Sequence, residues 1–266
     1  MNYQDRACTL FSGSAGNSVF VQNKDSSILI DAGVSCKRLL SAMSKMEISP
    51  EKLNGILITH EHSDHIAGLS VFARRFQIPT YMSLGTWNRI KHREQFRSLP
   101  DVRIVHENLG FEVGSMAIKP FSVPHDAGGP LGYRIDTGKA VVALASDDGE
   151  YTDEIAEHLS CVDLAFIEAN YDAHMLWGGS YPWPLKQRIV SGTGHISNVE
   201  CAYATQDMLE SGSTRFVLIH LSENNNTPEL AYSSVETHLN KQGAKIGIDY
   251  LMTTAPRYTP SVWQYL

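Results

Sequence analysis

Residues 55–69 read GILITHEHSDHIAGL, a short apolar run followed by three histidines and two carboxylates in the six positions His60 to His65. A run of this kind, rich in Ile and closed by Thr, reads as a buried strand. The pattern after it reads as an amphipathic helix starting near His65. The cluster therefore stands at the C-terminal end of a strand, where a turn can aim alternate side chains into one cleft. His60 and His62 are two apart, which places both imidazoles on one side of an extended segment. Asp64 and His65 follow at the helix start and can point to a second centre. Imidazole and carboxylate both bind borderline and hard divalent cations, so the pattern is that of a metal site rather than a polar loop with chance histidines.

Eleven other short runs, at 7–11, 18–22, 27–31, 79–82, 103–105, 116–123, 132–136, 140–146, 164–168, 215–220 and 248–253, share the strand character of 55–59. They are rich in β-branched or aromatic residues and are bounded by Gly, Pro, Asp or Asn. Helical patterns cover 36–46, 65–76, 84–96, 152–158, 184–191, 198–211 and 228–240, with Thr152 and Asn198 as expected caps. Strands come first and strand–helix alternation follows, without internal repeat or low-complexity linker. That order predicts one α/β domain over residues 1–266, built as two face-to-face sheets with helices outside, an αββα sandwich.

The chain has 266 residues, 42% of them apolar and 19% charged, which suits an ordinary globular domain with a sizeable core. Its formal charge of −7 gives no support for nonspecific adhesion to nucleic acid or anionic membrane, although a local basic rim is compatible with it. Cys8, Cys36, Cys161 and Cys201 are scattered and form no CxxC, so neither a disulfide framework nor a cysteine zinc site is expected. The polar start MNYQDRACTLF lacks the apolar run of a signal peptide, and no segment is apolar for the length of a membrane helix. The expected compartment is the cytosol.

THEHSDH followed by IAGL resembles the signature of the metallo-β-lactamase superfamily, and the resemblance extends over nearly the whole chain. It implies the αββα fold and a metal site between the sheets. It also implies further ligands at strand ends: His125 in FSVPHDAGG, Asp147 in VVALASDDGEY with Asp148 as the neighbouring alternative, and His220 in RFVLIHLSENN. On that pattern His60, His62 and His125 hold one metal, Asp64, His65 and His220 hold a second, and Asp147 bridges them with a hydroxide. The cofactors implied are two divalent ions, zinc, manganese or iron. Such a pair supplies a nucleophile at neutral pH without a protein nucleophile, and no G-x-S-x-G motif is present.

Three further stretches bear on the substrate. FIEANYD (166–172) resembles a strand-end segment of the ribonuclease Z branch, with Glu168 expected to orient a site histidine. GTGHISNVECA (192–202) resembles the segment of nucleic-acid-processing branches in which a His just before a helix sits beside the scissile phosphate, here His195. Together with NYDAHML, YPWPLKQRI and HLSENN, they resemble the YycJ/WalJ group, small proteins described as DNA exonucleases. The chain departs from ribonuclease Z-like proteins in having no His near IGIDYLM, where their last ligand lies. Two assignments therefore stay open: His220 as ligand with His195 as acid, or the reverse.

Asp64, His195 and Glu168 are thus the catalytic candidates. Ser14 and Asn17, in the turn LFSGSAGNS, form either a plain hairpin or a phosphate cradle. Tyr181 and Trp183 are core or rim aromatics, or stack on a terminal base, with Lys186 and Arg188 on the backbone. RIKHREQFR (89–97) reads as a solvated helix face. The resulting expectation is a dinuclear hydrolase acting on nucleic acid ends, DNA above all. Its rivals are a hydrolase of a small phosphodiester, thioester or lactone, and a metal-binding sensor without turnover. A structural site would be coordinatively closed and would not need two metals, which argues against the sensor.

Overall fold

The structure, a computed structural model, describes residues 5–266; residues 1–4 of the expected domain, and that part of the polar start, lie outside it. Among the described residues, fourteen strands form two seven-stranded mixed sheets. The first contains β1 (Arg6–Phe11), β2 (Ser18–Gln22), β3 (Ser27–Ile30), β4 (Gly55–Leu57), β5 (Thr80–Ser83) and β6 (Val102–Val105). The second contains β7 (Phe111–Val113), β8 (Met116–Ser122), β9 (Leu131–Asp136), β10 (Val141–Ala145), β11 (Leu164–Glu168), β12 (Arg215–Ile219) and β13 (Leu251–Thr254). The last strand, β14 (Gln264–Tyr265), returns to pair with β1. Strands β3 to β6 run parallel, as do β10 to β13, so within each sheet those strands end on the same side.

Both faces of both sheets are covered. In β3, Ile28 and Ile30 face Tyr133, Val142 and Phe166 of the other sheet. Leu29, between them, faces outward onto the first helical layer. This is the period-two alternation of a strand, with both faces apolar because both are buried. The first helical layer is α1 (Cys36–Lys45), α2 (Ser63–Ile66), α3 (Leu69–Phe76) and α4 (Leu84–Ile90). On the other side, α5 (Asp153–Leu159), α8 (Asn198–Glu210) and α9 (Pro228–Lys241) cover the second sheet through Leu159, Met208 and Leu239. Two short helices, α6 (Ala173–Gly178) and α7 (Trp183–Ile189), form a separate lobe around Leu176 and Ile189. The architecture is the expected αββα sandwich.

The differences from expectation have local causes. The helix expected over 65–76 is two, α2 and α3, parted at Ala67–Gly68. A Cβ on Gly68 would collide with the Val34 carbonyl, so the chain turns where only glycine fits. The pattern at 84–96 is α4 followed by a single 3₁₀ turn at Glu94–Phe96. Asn198 is the first helical residue and not the cap. Ser197 caps α8 in a reciprocal box with Glu200, while Thr152 caps α5 as expected. Strands β7 and β14 and helix α6 are too short to carry a period. No helix among the described residues is long and apolar enough to cross a membrane.

Candidate metal centre and catalytic cleft

Five strand ends converge at one rim of the sandwich. Beyond β3 comes Asp31, beyond β4 the His60–His65 turn, beyond β10 Asp147 and beyond β12 His220; Glu168 ends β11. Asp31, Asp147 and His220 have left-handed backbones, with φ of 61°, 60° and 54°. A non-glycine residue in that region costs about 1–3 kcal/mol. The bend turns the chain off the strand while the side chain stays at the rim. His125, after β8, joins them from the antiparallel side.

The donor atoms form four overlapping groups, within each of which they lie within 4.8 Å of one another: His60, His62 and His125; His60, His65 and Asp147; Asp64, His65 and His220; and Asp147, Glu168, His195 and His220. Asp147 spans them, its oxygens 3.1 Å from His65 Nε2, 3.4 Å from His220 Nδ1 and 3.7 Å from His125 Nε2. Asp148 takes no part. It is fully buried, and neither of its carboxylate oxygens has a hydrogen-bond partner. Burial, then Glu168 and Asp147, push its carboxyl well above the usual range.

Charge is sorted across the cluster. Burial and then the His65 charge drive His60 well below its ordinary value, so it is neutral. Burial would do the same to His65 and His220. Around His65 the charges of Asp147, Asp31 and Asp64 outweigh it, and around His220 the charge of Asp147, with Asp64 nearby and Glu168 hydrogen-bonded, does so; both rings are raised. Burial would raise Asp64 and Asp147, but the neighbouring histidines hold both well below the carboxylate range.

The fit of these residues to cations can be tested on the protein itself. His60 Nε2 and His220 Nε2 are buried without any hydrogen-bond partner, whereas such atoms are almost always paired. His62 Nδ1 and His125 Nε2 face each other at 3.2 Å. Ring nitrogens without protein partners, beside ionised carboxylates, are a donor set for divalent cations once any proton on them is displaced.

A ring of partners orients the donors. Asp31 accepts from His65 Nδ1 (2.7 Å), Thr59 N (2.9 Å) and Thr59 Oγ1 (2.8 Å). His125 Nδ1 donates to the Gly194 carbonyl at 3.1 Å. Glu168 Oε1 accepts from His220 Nδ1 (2.7 Å), His195 Nδ1 (2.9 Å) and Asn170 Nδ2 (3.1 Å). Asp31 and Asn170 were missed by the reading of the sequence. A carboxylate ending a strand two places before Gly33 was the available signal for Asp31. Gly33 itself leaves no room for a side chain, since a Cβ there would collide with the Asp64 carbonyl.

The cluster opens into a cleft of about 220 Å³ lined by His62, Asp64, His125, Asp147, His195 and His220 at its floor. Ser14, Tyr181 and Arg188 line its mouth. Arg188 is gripped by Asp126, Nε at 2.6 Å and Nη2 at 2.8 Å.

Two expected substrate contacts are corrected, and a third stands outside the cleft wall. Lys186 is buried, and its ammonium donates to the carbonyls of Trp177 (2.8 Å) and Gly179 (2.7 Å) inside the α6–α7 lobe, so it is turned away from a phosphate in the cleft. Asn17 is buried behind the cluster, its amide nitrogen 3.0 Å from His65 Nε2 and 3.3 Å from Asp64 Oδ2. Trp183 is exposed but is not among the residues lining the cleft. Glu168 has no exposed atom, which makes it a positioning residue and not one that touches substrate.

Residues 26–221 match the family described as the beta-lactamase superfamily domain. The chain belongs to the beta-lactamase superfamily. It is similar to the exodeoxyribonuclease YycJ of Bacillus anthracis, 33% identical over 265 residues and 97% of each chain. It is also similar to the exodeoxyribonuclease WalJ of Streptococcus pneumoniae, 36% identical over 243 residues, 91% of this chain and 90% of that one. Its fold matches the metallo-beta-lactamase fold protein YhfI of Bacillus subtilis with a TM-score of 0.73 at 17% identity, covering 97% of this chain and 99% of that one. The metallo-β-lactamase fold implies divalent metal ions, and the rim described above carries the candidate ligands for them.

Proposed function

We propose that this chain, a metal-dependent nuclease-like hydrolase of the beta-lactamase superfamily, cleaves phosphodiester bonds at the ends of nucleic acid, DNA in particular. His60, His62 and His125 would hold one cation and Asp64, His65 and His220 a second, with Asp147 between them. Cations so held supply Lewis-acid polarisation of a phosphoryl oxygen and an activated water.

The observation that carries the reading is the Glu168–His195 pair. His195 lines the cleft with its side chain 13% exposed, while its Nδ1 is committed to a fully buried carboxylate at 2.9 Å. That bond makes Nδ1 the donor to Glu168, fixes the ring's orientation and presents Nε2 to the cleft, which is the placement a proton donor to a leaving oxygen needs. Burial opposes ionisation of Glu168, but the charge of His195 and its hydrogen bond outweigh that, so the carboxyl lies below the usual range. His220 shares the same carboxylate oxygen, yet its orphan Nε2 lies 3.6 Å from Asp64. This favours His220 as ligand and His195 as acid. Asp64 lines the cleft as an ionised carboxylate and would orient the attacking water once cations are bound. Names of two relatives, both exodeoxyribonucleases, support nucleic acid as substrate. The cleft of about 220 Å³ suits one phosphate with its sugar. That size fits a strand end, and it also favours the second reading, hydrolysis of a small phosphodiester.

The test is His195→Ala on metal-reconstituted protein, assayed with 5′-phosphorylated DNA, RNA and a small chromogenic phosphodiester, with a lactam and a thioester alongside. We expect DNA to be cut, metal content to be kept and turnover to fall by roughly 10²- to 10⁴-fold. Loss of metal on this substitution would exchange the roles of His195 and His220. Cleavage of the small diester with no oligonucleotide cut under zinc, manganese or iron would establish the second reading.

A further inference from the structure

Trp177 and Trp183 are 45% and 61% exposed, yet they touch each other, with ring centroids 5.4 Å apart and planes inclined at 40°. At that separation and tilt neither ring covers the other, so broad aromatic faces stay in water. An exposed apolar patch of this kind marks a binding surface. The pair is also fixed in place. Lys186 ties the end of α6 to α7 through the carbonyls of Trp177 and Gly179. Pro182 and Pro184 flank Trp183 and restrict its backbone. A rigid aromatic surface loses little conformational entropy on binding.

The patch is continuous with the cleft. Tyr181, Leu185, Arg188 and Ile189 of the same segment line the cleft, and the Tyr181 hydroxyl accepts from Asn224 Nδ2 at 2.9 Å. Two residues of chain span at most about 7 Å, so Trp183 stands within that reach of Tyr181. Stacked nucleotides advance about 3.4 Å each, which puts the patch one to three nucleotides from a phosphate in the cleft.

Charge narrows the occupant. The chain carries −7, Lys186 is spent inside the lobe and Arg188 is paired with Asp126. Little cationic surface is left here to grip phosphates, whereas bases are uncharged and offer flat faces to aromatic rings. We propose that Trp177 and Trp183 form a stacking platform for bases of the strand whose end lies in the cleft. The proposal rests on the nucleic-acid reading above and adds where affinity for the strand comes from.

The experiment uses the metal-loaded protein and a short 5′-phosphorylated DNA strand whose end is blocked by phosphorothioate linkages. A matched strand has abasic sites at the positions next to that end. Binding is read by anisotropy and by quenching of tryptophan fluorescence. Trp177→Leu with Trp183→Leu should weaken binding of the complete strand by roughly 5- to 150-fold for each base that loses its stack. It should also abolish the base-dependent quenching and bring affinity to that of the abasic strand on the unsubstituted protein. Trp183→Phe, which keeps an aromatic face, should restore most of the affinity, and metal content and melting temperature report that centre and fold are intact. Equal binding of complete and abasic strands, or a leucine variant that binds like the unsubstituted protein, overturns the platform while leaving nuclease action standing. Failure of the unsubstituted protein to bind or cut any strand overturns both.

Discussion

The strand-end centre and the α6–α7 lobe stand on opposite sides of one cleft and are built in opposite ways. At the centre, charged side chains are buried and nearly every donor atom has a second partner: Asp31 on His65, Glu168 on His195 and His220, the Gly194 carbonyl on His125. In the lobe, the charged Lys186 is turned inward as a brace and the apolar Trp177 and Trp183 are left in water. Buried charge is tolerated only with such partners, because leaving one member alone is strongly destabilising. The centre is therefore overdetermined, and single changes there should act through metal and fold. Changes at the exposed side chains of the lobe should act through the substrate.

The largest effects are expected at the centre. Asp147→Asn removes the carboxylate that lies within 3.7 Å of His65, His125, His195 and His220. It should lower metal content and turnover by more than the roughly 10- to 100-fold typical of an outer partner of a metal ligand. Asp31→Asn should fall within that 10- to 100-fold range, measured as metal affinity by competition with a chelator. An Asp31 variant that kept full affinity would show that Thr59 alone orients His65, and the overdetermined picture would fail there.

A pH series sharpens the comparison inside the centre. His60 is neutral in the metal-free protein, because burial and the His65 charge lower it. His65 and His220 are raised by their carboxylates and carry protons at neutral pH. A cation at Asp64, His65 and His220 has to displace those protons, so its binding releases protons and weakens as pH falls. One at His60, His62 and His125 meets no such competition from His60. On acidification from pH 8, metal should leave in two steps, the Asp64 group first. Cobalt spectroscopy with proton-release titration would show it, and a single step with no proton uptake would contradict the sorted charges.

Legibility in the sequence follows the same division. The twelve expected strands all exist because each is long enough to carry a period or is bounded by turn residues. The His60–His65 cluster was legible because its candidate ligands are adjacent in sequence, while His125, Asp147 and His220 needed the family resemblance and gained from each following an apolar run. Asp31 was not, because a single carboxylate after ILI, even two places before Gly33, does not by itself name a partner; its role comes from β3 lying beside β4. Lys186 was misread because YPWPLKQR gives no period in a seven-residue helix, and a lysine there looks solvated until Trp177 and Gly179 are folded onto it.

That misreading leads to the smallest effects and the finest test of the two-sided cleft. Lys186→Met keeps the aliphatic stem and removes the donor to two carbonyls. Leaving such groups unpaired costs roughly 1–3 kcal/mol, a drop of roughly 2–12 °C in melting temperature for a domain of this size. The salt dependence of oligonucleotide binding should not change. Arg188→Ala should do the reverse. Its pair with Asp126 is well exposed, with side chains 45% and 34% accessible, and such pairs contribute at most about 1 kcal/mol. Melting should barely move. If Arg188 leaves Asp126 for a phosphate on binding, its loss should reduce the slope of log affinity against log salt by roughly 0.7–0.9. A salt slope altered by Lys186→Met, with no loss of stability, would mean that the ammonium leaves the two carbonyls to meet the substrate and that the lobe is an electrostatic contact rather than an aromatic one.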